Sequence, residues 1–462
     1  MIANFLILHL LPSIGFILAL LFLAHVLNER RSPGSTLAWL MAIIFIPYVG
    51  VPLYFVFGGR KMVRKAGKKN RLDCNQSEFQ EGAFLTPSDF FQPNEGVFPP
   101  TAHNRITLIP EGDQAFQTVM ELIQTAKKSI CVATFILGKD DTGRFILNAL
   151  AEKAAQGVAV YLLLDDLGSA RISRKFLSPL VSAGGKVAFF MPMLHLPFRG
   201  RANLRNHRKM IVTDNTFALI GGMNLASEYM GPKTASDHWQ DLSLTVEGPA
   251  VTHFADIFAS DWQFANNTEL TVTTLGKPPC LADNGCITQV VASGPDVSND
   301  SLRNAILTAI FKANQRIWIV TPYFIPDEML LEALCLAAQR GVHVDIIIPN
   351  KSNHRLADLV REGYLARVRE AGVGAWLYQP RMLHAKAILI DNALAIVGSA
   401  NMDMRSLLLN YEVALCIYDA TLVGNLDAWM CDLKKDSSEQ FFRPHGLLEL
   451  VRNMGRLLAP LL

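Results

Sequence analysis

The chain has 462 residues, half of them hydrophobic and 18% charged, with a mean hydropathy of +0.23, which excludes a disordered chain and points to contact with a membrane. At roughly 100–200 residues per domain this length holds two to four domains. Lys plus Arg number 43 against 41 Asp plus Glu, a net charge of +2, which excludes a broadly basic nucleic-acid binder and leaves anion binding to local clusters. The seven cysteines (Cys74, Cys131, Cys280, Cys286, Cys335, Cys416 and Cys431) are scattered, with no C-x-x-C or Cys/His grouping. Neither a disulfide framework nor a structural zinc site is expected, and a reducing compartment suits the soluble part.

Residues 1–28 and 32–59 contain no Asp, Glu, Lys or Arg. Each is long enough to span a bilayer, which needs about 20 apolar residues, and the turn Asn28-Glu29-Arg30-Arg31-Ser32-Pro33-Gly34 suits a tight helical hairpin. A cleaved signal peptide fits poorly, because no basic segment precedes the first apolar run and a second follows at once. Residues 60–71 hold seven basic residues and no acid, against Arg30 and Arg31 in the turn. The positive-inside rule then places both termini in the cytoplasm and the basic cluster on anionic headgroups. Residues 60–105 read as basic flank and linker.

Beyond the linker the chain repeats. Residues 114–134 pass from a helical period into a β-rich run, and residues 301–321 do the same. Ala154-Ala155-Gln156-Gly157-Val158 and Ala337-Ala338-Gln339-Arg340-Gly341-Val342 close equivalent helices, each ahead of a solid apolar strand. Such strands between amphipathic helices indicate an α/β fold with a sheet covered on both faces. Two repeats are expected, residues 106–265 and 285–435, in a pseudo-two-fold arrangement with a site between them. An amphipathic tail follows at 436–462.

Each repeat carries the same polar string. His207, Lys209 and Asp214 precede Gly221-Gly222-Met223-Asn224, and His384, Lys386 and Asp391 precede Gly398-Ser399-Ala400-Asn401. In both, His is followed by Lys after two positions, Asp after seven and Asn after seventeen. On a strand, His and Lys share a face while Asp points away, so the aspartates of the motif look structural. A buried Lys is costly unless an anion meets it. Two such pairs make a pocket of two imidazoles and two ammonium groups, suited to phosphate. The chemistry is phosphoryl transfer through a phosphohistidine, one imidazole attacking and the other moving the proton.

The doubled H-x-K-x-x-x-x-D string with its downstream G-G-x-N and G-S-x-N resembles the phospholipase D superfamily. Phe57-Gly58-Gly59-Arg60, Arg205-Asn206-His207-Arg208-Lys209, Met382-Leu383-His384-Ala385-Lys386, the run from Gly398 to Ser406 and Asn410-Tyr411-Glu412 are similar to segments of bacterial cardiolipin synthases. The resemblance implies two phospholipase D-like units behind a transmembrane hairpin in the bacterial inner membrane, with the catalytic units facing the cytoplasm. It also implies joining two phosphatidylglycerol molecules into cardiolipin with release of glycerol, no cofactor and no metal. The motif residues His207, Lys209, Asp214, His384, Lys386 and Asp391 form the catalytic set. By resemblance His207 is the nucleophile and His384 the acid and base. Lys209, Lys386, Asn224 and Asn401 hold the phosphate with help from Ser399. Asp241 and Glu412 each orient the histidine of the other repeat. The partners implied are phosphatidylglycerol, other anionic lipids and the membrane, with no nucleic acid.

Before His207 the first repeat is about eleven residues longer than the second before His384. The extra stretch, 194–201, suits either a loop dipping into the membrane interface or a solvated loop. The tail at 446–462 packs on the domain or lies on the membrane. At Ser352-Asn353-His354 an acidic residue is expected by resemblance, and His354 reads as a pocket residue or a loop histidine, with the loop favoured. A hydrolytic phospholipase D, or a transferase using another alcohol, shares the same chemistry and differs in which hydroxyl reaches the phosphohistidine. A nuclease of the superfamily fits poorly with the apolar leader. A silent scaffold fits poorly with two intact His/Lys pairs.

Overall fold

The computed structural model describes residues 20, 26–27, 33–57, 90–191, 204–232, 238–270, 285–297 and 299–439. Most of the first apolar stretch, the hairpin turn, the basic cluster at 60–71, the loop at 194–201 and the tail at 446–462 lie outside these residues.

The second apolar stretch departs from the single spanning helix expected over 32–59. It forms two helices, α1 (Pro33–Phe45) and α2 (Pro47–Phe57). Pro47 lacks the N–H that would continue the ladder, so it starts a new helix instead. The rings of Trp39 and Tyr54 lie 5.3 Å apart, whereas a straight helix separates such residues by about 22 Å. The two helices therefore fold back on each other, burying Ile43, Val51 and Tyr54. Gly50 permits the approach, since a Cβ there would lie 2.3 Å from the Ala42 carbonyl oxygen. Among the described residues no helix is long and apolar enough to cross a membrane.

Among the described residues, the two repeats are built on a mixed sheet of fifteen strands. The first repeat supplies β1 (Thr101–Ile109), β2 (Ser129–Thr134), β3 (Ala159–Asp165), β4 (Lys186–Phe190), β5 (Met210–Thr213), β6 (Phe217–Gly221) and β7 (Ser243–Glu247), in the order β1-β7-β6-β5-β2-β3-β4. The second supplies β8 (Cys286–Ser293), β9 (Arg316–Val320), β11 (His343–Pro349), β12 (Gly374–Tyr378), β13 (Ala387–Ile390), β14 (Leu394–Gly398) and β16 (Glu412–Ile417) in the matching order β8-β16-β14-β13-β9-β11-β12. The halves join where β1 and β8 pair antiparallel, at Thr101 with Thr288 and Asn104 with Cys286. The strand β1 that closes this seam begins at Thr101, ahead of residue 106. A short strand, Ser437–Ser438, also extends the second half along β12, beyond the boundary expected at 435.

Helices cover both halves. α3 (Gly112–Thr125), α4 (Asp141–Ala155), α5 (Arg174–Ser182) and α6 (Ala250–Asn266) belong to the first repeat. α7 (Ser301–Lys312), α8 (Glu328–Gln339), α9 (Arg355–Glu370), the short α10 (Met404–Leu408) and α11 (Ala420–Lys435) belong to the second. β10 (Phe324–Ile325) and β15 (Met402–Asp403) form a small parallel pair. The solid apolar strands are buried along their length: β2, β5, β13, β14 and β16 have no exposed residue. Two apolar cores form, one around Ile130, Val132, Leu162 and Ile211, the other around Ile317, Ile319, Ile346 and Ile388. These immobilise the strands whose ends carry the polar motifs.

Candidate active site

The two motif histidines stand in extended segments just ahead of β5 and β13, which begin one residue after each lysine. They lie at the strand mouths, ahead of the strands on which their i, i+2 spacing would set them. Backbone bonds cross between repeats there. The His207 N–H donates to the Tyr411 carbonyl (2.9 Å) and the Tyr411 N–H donates to that of Arg205 (2.9 Å). In the second half the His384 N–H donates to the Gln240 carbonyl (2.6 Å), and the Gln240 N–H to that of Met382 (2.8 Å). Each histidine is thereby tied to the residue preceding the other repeat's carboxylate.

The side chains follow the same exchange. Asp241 Oδ2 lies 2.7 Å from His384 Nδ1, and Glu412 Oε1 lies 3.0 Å from His207 Nδ1. Both carboxylates are fully enclosed. Lys209 Nζ donates to the His207 carbonyl at 2.7 Å, and Lys386 Nζ meets the carbonyl of His384. Both lysines are buried. Burial takes Lys209 well below the ordinary lysine value, with Glu412 opposing and Lys386 adding, and takes Lys386 down to about 8 against the pull of Asp241 and Glu412. Two amino groups enclosed in such a site favour their charged forms when an anion is bound between them.

The two carboxylates differ. Burial raises Asp241 to about 6, with Lys386 opposing. Burial also acts to raise Glu412, but His207, Lys209 and the Ser399 hydroxyl outweigh it and hold the carboxyl below its usual value. Ser399 Oγ donates to Glu412 Oε2 at 2.5 Å and Asn410 Nδ2 donates to Oε1 at 3.3 Å. Ser399 was expected to help at the phosphate; its hydroxyl instead holds Glu412. Its counterpart is Gly222, where a Cβ would lie 2.1 Å from Asp241 Oδ1. Burial drives His207 below its usual value against the pull of Glu412, and drives His384 well below, with Lys386 and Lys209 adding to the effect.

Asp214 and Asp391 do not join the catalytic set. Both have positive φ, +54° and +50°. The Asp214 carboxylate accepts the backbone N–H groups of Lys127, Lys128 and Ser129 at 2.7–2.8 Å. That of Asp391 accepts those of Asn314, Gln315 and Arg316 at 2.8–3.0 Å. Each caps the turn between a helix and the strand beside β5 or β13, at the strand end away from the histidine. Asn224 Oδ1 accepts the Ile136 N–H at 3.1 Å and Asn401 bonds Asp403.

Several residues at the site escape motif reading. Phe135 presents its edge to His207, centroids 5.0 Å apart, and lies under Lys209. Tyr229 and Trp239 flank His384. Arg208 is fully buried, bonded to Asp261 at 2.6 Å and to the carbonyls of Glu412 and Ser293. Its signal was present, since the second motif has Ala385 where the first has Arg208, and Asp261 interrupts the apolar face of α6. His354 is the N-cap residue of α9 and lines a cavity beside His207, so it belongs to the site's surroundings rather than to an ordinary loop. Among the described residues no cluster of His, Cys, Asp and Glu is placed to hold a metal ion.

Known proteins resemble this chain in sequence and fold. A family profile described as cardiolipin synthase, PLD-like domain matches residues 119–262 and 306–433, and one described as phospholipase D-nuclease N-terminal matches 17–59. Cardiolipin synthase A of Pseudomonas fluorescens is 33% identical over 98% of this chain and 97% of its own. A major cardiolipin synthase of Bacillus subtilis is 33% identical over 98% of this chain and 99% of its own. The fold is similar to that of phosphatidylserine synthase of Haemophilus influenzae, with a TM-score of 0.58 and 17% identity over 77% of this chain and 94% of that one. With relatives matching along nearly its full length, the chain belongs to the cardiolipin synthase family of phospholipase D-like proteins.

Proposed function

We propose that the protein is a phosphatidyltransferase that makes cardiolipin and glycerol from two phosphatidylglycerol molecules. The observation that carries the reading is the exchanged pairing of two imidazoles with two carboxylates beside two buried lysines. His207 attacks the phosphorus of the donor, and His384 protonates the departing glycerol oxygen. His384 then takes the proton of the acceptor hydroxyl as its oxygen displaces His207. Lys209 and Lys386 stabilise the non-bridging oxygens. A phosphodiester between the lysines also relieves their effect on His384, which raises its proton affinity when the acid is needed. Asp241 and Glu412 orient the imidazoles and support the charged ring.

The apolar leader 1–59 and basic cluster 60–71 support anchoring to the inner membrane, with the repeats on the cytoplasmic side. Deletion of 1–59 then leaves the protein extractable from membranes at alkaline pH. In vesicles of phosphatidylglycerol, purified protein should release one glycerol per cardiolipin formed. Phosphatidate as the sole product would instead make it a hydrolase.

A further inference from the structure

The residues that flank the two motif histidines differ in kind. Arg205, Asn206 and Arg208 flank His207, where Met382, Leu383 and Ala385 flank His384. β3 ends on Asp165, and its counterpart β11, also seven residues long, ends on Pro349. Polar groups on one side of the site thus stand where the other side has apolar ones.

These polar groups are buried and bonded to one another. The Asn206 N–H donates to Asp165 Oδ2, and Asn206 Nδ2 donates to Asp261 Oδ2, both at 2.9 Å. The Asn206 side-chain oxygen accepts the Arg208 N–H at 3.1 Å. Asp261, on α6, holds Arg208 Nη1 at 2.6 Å. The other two guanidinium nitrogens reach into the second repeat. Nε donates to the Glu412 carbonyl at 3.1 Å and Nη2 to the Ser293 carbonyl at 3.0 Å. Glu412 and Ser293 are direct partners across β16 and β8. One planar fork therefore grips both strands at the rung that carries the partner of His207. The guanidinium also lies over the ring of Tyr411, whose carbonyl accepts the His207 N–H. Arg208, Asp261 and Glu412 are fully buried, so water does not stand in for a lost bond. Apolar residues of similar volume are often as stable as a buried ion pair, so the distinctive contribution of this one is the geometry it fixes.

We propose that Arg208, held by Asp261, is a positioning residue for the attacking imidazole. Gripping the Glu412 backbone keeps its carboxylate on His207 Nδ1, 3.0 Å away. With its proton held at Nδ1, the ring keeps Nε2 bare to meet phosphorus. The second repeat has Ala385 at this place, so the clamp serves one histidine of the two. The inference rests on the phosphohistidine reading above.

The test uses the full-length protein in vesicles containing phosphatidyl nitrophenol, with enzyme in excess over substrate. Nitrophenol leaves without a proton, so its release in a single turnover reports attack by His207. Arg208→Lys keeps the charge and loses the fork, and should lower the rate constant about tenfold. In a Glu412→Gln background the carboxylate to be positioned is gone, and the same change should cost less than about twofold. The same factor in both backgrounds, as a general loosening of the fold would give, overturns the clamp, and so does an unchanged rate in Arg208→Lys alone. If Arg208→Lys fails to fold, Asp261→Asn, which keeps the side-chain shape, is read in the same cycle with the same expectation. Wild-type release of nitrophenol that survives in His207→Ala overturns the phosphohistidine reading and the clamp with it.

Discussion

Around His207 the other repeat presents Glu412, held by the hydroxyl of Ser399 and the amide of Asn410. Around His384 it presents Asp241, held by the N–H of Leu242 at 2.7 Å and approached by Lys386 at 3.8 Å. Two aromatic rings flank His384, whereas His207 has the single ring of Phe135 beside it and opens on a cavity. Two copies of one motif thus hold the same side chain in two environments. The repeat supplies matching geometry, and residues outside the motif make the surroundings of the two imidazoles differ.

Removing either histidine breaks this pair most severely. His207→Ala and His384→Ala should each lower cardiolipin formation by about 10²–10⁴-fold, with the fold intact by circular dichroism. Near-normal turnover in either variant would show that one repeat works alone. Asp241→Asn probes the exchanged carboxylates. It should cost on the order of 100-fold with glycerol as the leaving group and roughly tenfold less with a nitrophenol, which leaves without a proton. Equal losses for both leaving groups would remove Asp241 from acid catalysis by His384.

Much of this was legible from residue spacing, and the reason is local. His, Lys and Asn hold fixed offsets because the strand and turn between them are the same length in both repeats. What spacing misses is contact across distance. Arg208 and Asp261 lie 53 positions apart and meet only because α6 packs on the sheet. The joining of both halves through β1 and β8 depends on a strand opening at Thr101, inside the stretch that composition marks as linker. The break at Pro47 was visible as a residue, but the folding back of α1 and α2 depends on Gly50 meeting Ala42. The contrast of Tyr229 and Trp239 with Ser406 and Asn410 lies in equal offsets from the motif asparagines and the carboxylates, and its meaning emerges where the two rings meet His384.

Proton dependence sharpens the comparison further. Asp241, raised to about 6, is ionised above that pH, and Lys386, lowered to about 8, is charged below it. Since kcat/KM reports the free enzyme, it should fall tenfold per pH unit below about 6 and above about 8. Asp241→Asn should abolish the acidic limb, and an acidic limb that survives this change would assign it to another group. The smallest effect on turnover belongs to the motif aspartates. Asp214→Asn should lower stability by about 2 kcal/mol, since a neutral amide loses charge-assisted bonds to the turn. The folded fraction should keep kcat within about twofold of wild type. A large loss of kcat without loss of stability would return Asp214 to the chemistry.

The central claim is that both repeats build one phosphate site in which a single histidine becomes covalently phosphatidylated. Rapid quenching of the enzyme with phosphatidylglycerol labelled in its phosphate, followed by peptide mapping under conditions that preserve phosphohistidine, tests it directly. The account predicts up to one phosphatidyl group per chain, on the peptide containing His207, and its loss in His207→Ala. No adduct during active turnover, or equal labelling of the peptides containing His207 and His384, would contradict it.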